Sequence, residues 1–418
     1  MSRPIALRLY ALATGALAPL IPGLLRARAR RGKEEAARLS ERLGRASQPR
    51  PTGPLVWLHA VSVGESLSLL ALIERFTAER PDLSILVTTA TRAAAEVLAA
   101  RLPPGVLHQY APVDTPGAAA RFLNHWRPGL AVFVESELWP NLILRAKARG
   151  VRLALVSAGL SAKSFAGWRR VPAAARTVLR AFDLVLARDD GAARRLRALG
   201  ARVDGLADLK FGATALPVDD HDMAAFRGAL DGRPVILAAS THEGEDALVM
   251  DGFATLAPGP LLVIVPRHPA RGGGIAALAM ARGLRAGRRS QGDGPVNLDV
   301  CVADTLGELG LWYALARVAV IGGSLVPRVG GHNPLEAARL GCPFVVGPHV
   351  EKWPMYEDLL AAQATRRIAP DDLGAMFAGA MRDDADLAAM AVRASQFVVE
   401  GDVAARDAMT RVLALAPR

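Results

Sequence analysis

Several residue types are scarce in this 418-residue chain, and each scarcity excludes a class of protein. Two cysteines, Cys301 and Cys342, are too few for a disulfide framework or a zinc site, and each lies in or beside an apolar strand. The chain also lacks a P-loop, a G-x-G-x-x-G fingerprint and an H-E-x-x-H motif. We therefore expect buried, reduced thiols and none of the common nucleotide or zinc signatures.

Patterns that could hold a metal are equally sparse. Two strings have D-x-D spacing, one beginning at Asp220 and one at Asp384, and both fall in polar stretches typical of solvated charge. We predict no catalytic metal and no cofactor.

Lysine is rare too, since the chain has five lysines among its 51 basic residues. Lys163 and Lys210 therefore stand where arginine is the usual choice, although chance explains this as well as function does.

The net charge of +11 is concentrated at the N-terminus. Residues 1–50 contain eleven basic and three acidic residues, so they contribute most of the excess and the chain offers no general nucleic-acid surface. Residues 9–25 are uncharged and span roughly 25 Å as a helix, slightly less than the hydrocarbon core of about 30 Å. Pro19 and Pro22 interrupt this run, and "RARARRGK" follows it. A marginal span, an in-plane anchor and a cleaved signal peptide remain open, and the basic cluster favours the cytoplasmic face.

Alternating strand and helix patterns predict parallel α/β sheets. One series runs from "LVWLHAV" to about residue 212, and a second begins with "PVILAAS" after a stretch without clear pattern. We predict two Rossmann-like domains with a cleft between them, the GT-B architecture. The predicted boundaries are an N-terminal membrane-anchoring segment 1–35, an acceptor-binding domain 36–212, a linker 213–234 and a donor-binding domain 235–418 with C-terminal helices.

Polar residues stand where the strands of the first domain end. Glu65 lies in "SVGE", which has the spacing of a capping box in which the glutamate bonds to the N–H of Ser62. Because ligands of parallel sheets bind outside the carboxyl ends of strands, a site role is equally consistent with this position. Glu135 and Glu137 follow another strand in "VFVESELWPNL".

The second domain carries several strand-end motifs that favour a nucleotide. "PRHP" offers an arginine fork for a phosphate, and "DTLGELG" contains a glycine just before a helix. In "GGSLVPRVGGHNPLE" a glycine pair precedes a helix with Asn333 as its expected cap and Pro334 in its first turn. Free N–H groups at such a helix start bind phosphate or ribose.

Six motifs in order, together with the basic, apolar N-terminus, resemble those of the bacterial 3-deoxy-D-manno-octulosonic acid (Kdo) transferases. These motifs are "HAVSVGES", "ESELWPNL", "STHEGE", "PRHP", "DTLGELG" and "GGSLVPRVGGHNPLE". The family also has a lysine in "DLKF", which corresponds to Lys210. The resemblance implies inverting, metal-independent transfer of Kdo from CMP-Kdo to the lipid A precursor in lipopolysaccharide biosynthesis. It also implies attachment to anionic lipids on the cytoplasmic side of the inner membrane.

The resemblance further implies roles for individual residues. Glu65 would be the catalytic base, and Glu137 and Lys210 would stabilise the transition state. The residues expected to contact CMP-Kdo are Arg267, His268, Gly307, Glu308, Leu309, Asn333, Pro334, Leu335 and Glu336. Two other hypotheses remain: a different GT-B enzyme, such as a hexosamine transferase or epimerase, and a non-catalytic lipid-binding protein with the same fold.

Overall fold

A computed structural model of the chain describes residues 3–256, 259–382 and 385–417. Asp384, in the second D-x-D string, lies outside these residues. The chain divides into two compact units: Met1–Ala213 together with Gly401–Arg418, and Thr214–Glu400. Each unit is built around a parallel sheet, as the alternating patterns predicted.

The first unit contains a sheet of seven strands in its described residues, in the order β3-β2-β1-β4-β5-β6-β7. The strands are β1 (Leu55–His59), β2 (Ser84–Thr89), β3 (Leu107–Tyr110), β4 (Leu130–Val134), β5 (Arg152–Ala158), β6 (Leu184–Ala187) and β7 (Gly205–Leu206). All their pairings are parallel. This is the Rossmann order, and it reverses direction between β1 and β4.

The second unit repeats this plan. Its described residues form a sheet of seven strands in the order β10-β11-β9-β8-β12-β13-β14, with the reversal between β8 and β12. The strands are β8 (Val235–Thr241), β9 (Leu261–Pro266), β10 (Ala286–Arg288), β11 (Val300–Val302), β12 (Val318–Ile321), β13 (Phe344–Val346) and β14 (Arg366–Arg367). Cys301 and Cys342 are buried free thiols, as predicted.

Helices connect the strands of both sheets. In the first unit they are α1 (Ile5–Ala16), α2 (Ile21–Arg30), α3 (Leu39–Arg42), α4 (Val63–Ser68), α5 (Leu70–Glu79), α6 (Arg92–Ala99), α7 (Pro116–Trp126), α8 (Pro140–Ala148), α9 (Ala162–Arg169), α10 (Pro172–Leu179) and α11 (Asp190–Ala198). In the second they are α12 (Asp220–Leu230), α13 (Glu245–Ala254), α14 (Gly272–Met280), α15 (Leu309–Leu315), α16 (Leu335–Arg339), α17 (Met355–Ala361) and α18 (Leu373–Met381), and α19 (Ala385–Leu413) ends the chain.

The predicted linker 213–234 is structured instead. Half of it forms helix α12, whose residues Phe226 and Leu230 are buried. The ring of Phe226 packs edge-on against Trp312, with centroids 5.0 Å apart. The segment is therefore part of the second unit, because its apolar side chains are spaced to cover α15.

The C-terminal boundary also differs from the prediction, which assigned residues 235–418 to one domain. From Gly401 onward the chain groups with the first unit. A Cβ on Gly401 would lie 2.0 Å from the ring of Phe211, so glycine permits the close approach. Arg411 and Arg152 add hydrogen bonds from their guanidinium groups to backbone carbonyls, at 3.3 Å to Asp204 and 3.1 Å to Leu415.

The N-terminal apolar run is helical. Residues Ile5–Arg30 form one helical segment of 26 residues, long and apolar enough by length and composition to cross a membrane. Pro19 lies in a short 3-10 turn and Pro22 near the start of α2, where a missing N–H costs little. Only 6% of its most apolar window is buried.

Candidate active site

The reversal point of the first sheet brings together the loops after β1 and β4. At such a point the two connecting helices leave on opposite faces of the sheet, which opens a crevice at the carboxyl ends of the strands. Glu65 follows β1, and Glu135 and Glu137 follow β4. The topology therefore explains why these carboxylates, distant in sequence, are neighbours.

Glu65 is held by its own turn. Ser62 caps α4, accepting a hydrogen bond from the Glu65 N–H at 3.3 Å, and its hydroxyl donates to Glu65 Oε1 at 2.7 Å. The other carboxylate oxygen accepts from the N–H of Val61 at 2.8 Å, one residue before the expected Ser62 donor. Burial raises the pKa of Glu65, although the bonds from Ser62 and Val61 act to lower it. The capping interaction is therefore real, and it fixes the carboxylate at the strand end.

Glu137 is a second carboxylate of this cluster with a strongly perturbed pKa. Its side chain accepts a hydrogen bond from the indole N–H of Trp139. Burial raises the pKa of Glu137 to about 7; the neighbouring charges of Glu65 and Glu135 act in the same direction, and the Trp139 bond opposes them. The two predicted glutamates thus interact electrostatically, as groups that exchange protons in active sites commonly do.

Lys210 contacts the same cluster through a residue that was not among the predicted site residues. Its ammonium lies 2.8 Å from Oε1 of Glu135. Glu135 has φ of +59°, a left-handed conformation that costs a non-glycine residue about 1–3 kcal/mol and often marks functional sites. No sequence pattern distinguishes Glu135 from Glu137, because both follow β4 within three residues.

The reversal point of the second sheet is organised by a buried carboxylate that sequence analysis missed. Glu245 is fully buried and accepts hydrogen bonds from the N–H groups of His242 at 2.8 Å, Gly323 at 2.7 Å and Leu325 at 2.8 Å. It therefore ties the loop after β8 to the loop after β12. "STHEGE" contains two glutamates, and only burial distinguishes Glu245 from the exposed Glu243.

Two histidines stack across the same loops. The rings of His242 and His332 are nearly parallel, 5.1 Å apart, with their Nε2 atoms at 2.9 Å, so one nitrogen donates a proton and the other accepts it. Burial, assisted by the charges of His242 and Arg267, lowers the pKa of His332 to about 4. Burial likewise lowers the pKa of His242. A bound anion would reverse this effect by stabilising an imidazolium.

Arg267 and His268, predicted as donor ligands, follow β9 with exposed side chains. The backbone N–H of Arg267 donates to the carbonyl of Thr241 at 3.0 Å, so the loops after β8 and β9 are joined. In the described part of the chain the Arg267 guanidinium makes no ion pair, yet its charge lowers the pKa of His332 and opposes the rise in that of Glu336. A cation thus faces the segment 332–336 without a carboxylate partner.

The helix expected after Asn333 is present. It begins at Leu335 and ends at Arg339. Asn333 still caps it, because its Oδ1 accepts from the Leu335 N–H at 3.1 Å while its amide donates to Glu336 at 3.3 Å. Pro334 and Leu335 are buried, and burial raises the pKa of Glu336.

The predicted segment Gly307–Leu309 is also placed after a strand of this sheet. Gly307 has φ of +93°, and α15 begins two residues later at Leu309. The Glu308 carboxylate accepts hydrogen bonds from Arg289 at 2.9 Å and from the Thr305 hydroxyl at 2.7 Å. Because that carboxylate is already paired, the backbone of this segment is the part left for a ligand.

Among the described residues, one group of side chains has metal-ligand spacing: Asp219, His221 and Asp222. Asp219 caps α12 by accepting from the N–H of Asp222 at 2.9 Å, and it is exposed together with His221. These contacts are those of an ordinary helix start. The absence of a catalytic metal remains a prediction.

Comparison with known proteins assigns the chain to a family. The family model described as "3-Deoxy-D-manno-octulosonic-acid transferase (kdotransferase)" matches residues 37–213. The 3-deoxy-D-manno-octulosonic acid transferase of Bordetella pertussis is 41% identical over 380 residues, which cover 87% of this chain and 88% of that protein. The Haemophilus influenzae transferase of the same name is 34% identical, with 79% of each chain covered.

The fold is likewise shared with solved structures. A glycosyltransferase from Rickettsia africae superposes with a TM-score of 0.57 at 8% identity, covering 87% of this chain and 99% of that one. At that identity the likeness concerns the fold alone, which agrees with the two parallel sheets described above and is the predicted GT-B glycosyltransferase fold. The chain is therefore a glycosyltransferase that belongs to the 3-deoxy-D-manno-octulosonic acid transferase family.

Proposed function

We propose that this Kdo transferase uses CMP-Kdo as donor and the lipid A precursor as acceptor, and that the transfer inverts the anomeric configuration without a metal ion. An acceptor hydroxyl attacks the anomeric carbon of Kdo, its proton passes to a base, and the bond to the phosphate of CMP breaks. Two demands follow: a carboxylate beside the acceptor, and positive charge beside the leaving phosphate.

Glu65 meets the first demand in this proposal. The carrying observation is that its carboxylate is oriented by Val61 and Ser62 while burial raises its pKa. A base with a raised pKa accepts a proton more readily, and a fixed carboxylate needs no reorientation when the hydroxyl arrives. Glu137 and Lys210 would act beside it on the charge that develops in the transition state.

Arg267 meets the second demand. Its exposed guanidinium, without an ion pair among the described residues, is suited to hold the departing phosphate. His268, the backbone of Gly307–Leu309 and the capped turn Asn333–Glu336 would contribute the remaining donor contacts. Because the protein supplies the charge itself, this mechanism requires no cation.

We further propose that the N-terminal segment lies in the cytoplasmic face of the inner membrane rather than across it. Leu7 and Leu25, near its two ends, are buried in the first unit, and the Tyr10 hydroxyl donates to Asp114 at 3.0 Å. A helical segment held against the first unit near both ends and at Tyr10 cannot also cross a bilayer. Its exposed apolar residues, Ile5, Leu9, Leu12, Leu17, Leu20 and Leu24, would enter the lipid interface.

The activity is tested with the purified full chain, CMP-Kdo and lipid A precursor, with products resolved by mass. We expect product heavier by one or more Kdo residues, undiminished by EDTA. CMP should bind in preference to UDP, which separates this function from that of other GT-B enzymes. No product with CMP-Kdo, or a requirement for a divalent cation, would contradict the proposal.

Membrane attachment is tested without truncation, because residues such as Leu7 belong to the packed unit. Replacing exposed Leu9, Leu12 and Leu20 with glutamine should reduce sedimentation with anionic vesicles and leave thermal unfolding unchanged. Each leucine withdrawn from lipid removes up to about 1.5–3 kcal/mol of attraction. Undiminished sedimentation would show that these side chains do not contact lipid.

A further inference from the structure

A cavity of about 670 Å³, open to the surface, lies in the first unit beside the N-terminal helix. Its volume falls within the range of about 300–1,000 Å³ typical of small-ligand sites. One wall comes from α1, a second from α9 and α10, and a third from the turn that precedes α8. The residues used below are Leu7, Tyr10, Leu138, Lys163, Gly167 and Trp168, all of which line it.

We propose that this cavity binds an acyl chain of the lipid acceptor and that Lys163 contacts an anionic group of the same molecule. The inference rests on the proposed function and specifies how its acceptor is held. An acyl chain is the expected occupant, because the cavity joins helix α1, which carries exposed leucines, to the segment that contains Glu137.

The connection to the membrane side is made by α1. Leu7 and Tyr10 face the cavity, while Leu9 and Leu12 on the same helix are 59% and 69% exposed. An acyl chain that leaves the lipid interface along α1 therefore meets the cavity without crossing polar surface. An apolar chain is favoured there, since Leu138, Trp168 and Leu7 offer mainly hydrocarbon and aromatic surface.

The connection to the chemistry is made by Leu138. Leu138 lines the cavity and stands between Glu137 and Trp139 in the sequence. The Glu137 carboxylate accepts a hydrogen bond from the indole N–H of Trp139. The same short segment thus contributes one side chain to the cavity and another to the carboxylate cluster. A chain in the cavity would hold its sugar head group within the reach of that segment.

Charge complementarity favours an anionic lipid over a neutral one. Lys163 stands at the cavity, is exposed, and makes no ion pair in the described part of the chain. Arg169 and Arg170, at the end of α9, are exposed as well. A flexible ammonium beside an apolar cavity suits the head group of an acylated, phosphorylated sugar.

The chain offers a clean way to fill the cavity. Gly167 lines it within α9, has ordinary helical backbone, and a Cβ built there meets no atom within 4 Å. Gly167→Phe should therefore occupy the cavity without displacing the core. Gly228→Phe is the matched control, because Gly228 is an exposed position in α12 with equally open space around its Cβ.

The test compares the acylated lipid A precursor with the same disaccharide after its acyl chains are removed. For Gly167→Phe in the full chain we expect KM for the acylated acceptor to rise about tenfold, equivalent to about 1.4 kcal/mol. KM for CMP-Kdo, KM for the chain-free disaccharide and sedimentation with vesicles should not change. Lys163→Gln should raise KM only for acceptors that carry phosphate.

Equilibrium binding of the acylated precursor, measured without donor, separates this proposal from the transferase function. Weaker binding by Gly167→Phe than by Gly228→Phe would support the cavity even if transfer failed in wild type. Equal binding by both variants, or an equal loss for the chain-free disaccharide, would overturn the acyl-chain site and leave the transferase function intact.

Discussion

The reversal points of the two sheets have the same topology and opposite chemistry. In each unit a glutamate begins the helix region after the central strand: Glu65 after β1 and Glu245 after β8. Glu65 retains 8% exposure and bonds to its own turn, whereas Glu245 has none and bonds to backbone of two loops. The same position therefore anchors two loops in the second unit, whereas in the first it holds the carboxylate that we propose as the catalytic base.

The surrounding charges differ in the same sense. The first unit clusters Glu65, Glu135 and Glu137, with Lys210 paired to one of them. The second places Arg267 beside the histidine pair and leaves no carboxylate paired to that arginine among the described residues. In the proposed function, the carboxylates of the first unit serve the acceptor and Arg267 of the second serves the leaving phosphate, at equivalent strand ends of the two sheets.

The largest expected effect tests the first half of this comparison. Glu65→Gln should lower the transfer rate by about 10² to 10⁴, since a general base contributes that much, and should leave CMP binding unchanged. Glu74→Gln, at an exposed position on α5, is the control. A variant rate within threefold of wild type would reduce Glu65 to a helix cap.

The next largest effect tests the role of Arg267 in the second unit. Arg267→Ala should weaken CMP binding roughly ten- to a hundredfold, because a charge-assisted hydrogen bond contributes about 1.5–3 kcal/mol. Cytidine, which lacks the phosphate, should bind equally to variant and wild type. Arg282→Ala, which removes a surface charge just after the end of α14, provides the control. An equal loss for cytidine would place Arg267 away from the phosphate.

A substitution of Glu245 tests whether this glutamate, which occupies the position equivalent to Glu65, acts as a loop anchor. Glu245→Gln places an amide hydrogen against backbone donors, so we expect CMP binding to weaken about tenfold through displaced loops, equivalent to about 1.4 kcal/mol. The thermal midpoint should also fall. Glu243→Gln, at an exposed position two residues earlier, is the control. Unchanged CMP affinity in Glu245→Gln would show that the loops anchored by Glu245 do not contribute to CMP binding.

The last effect is on stability rather than on rate or binding, and it concerns pH and the carboxylate cluster. The pKa of Glu137 in the folded protein is about 7, above its ordinary 4.5. Its contribution to stability is therefore complete below pH 4.5 and is lost as pH rises through 7. Glu137→Gln should be more stable than wild type at pH 8, by on the order of 2 kcal/mol, and equally stable at pH 4.5.

Thermal midpoints of both proteins at the two pH values test this directly. Glu74→Gln should not gain stability relative to wild type at pH 8, because Glu74 is exposed. A Glu137→Gln variant that tracks wild type across the range would mean that the cluster is better solvated than its burial indicates.

Periodicity was sufficient to predict both sheets, and strand-end position was sufficient to predict that Glu65 and Glu137 lie near each other. They were not sufficient for segments whose partners lie far away in sequence. The sequence of residues 220–230 is largely polar, and only the contact of Phe226 with Trp312 shows that this helix is packed. Likewise, the close approach of Gly401 to Phe211 shows that the end of α19 packs on the first unit. Such contacts depend on three-dimensional packing, which local patterns do not contain.

The sequence by itself determined the fold class, the N-terminal apolar segment and the strand-end motifs of the candidate site, because each depends on spacing along a single strand, turn or helix. Only the tertiary structure decided that Glu135, rather than Glu137, pairs with Lys210, and that Glu245 is an anchor. It also decided that an apolar cavity lies between α1 and α9. These features arise where separate strands end at one edge of a sheet or separate helices meet, and the free energy of burial acts on those neighbours irrespective of their order in the chain.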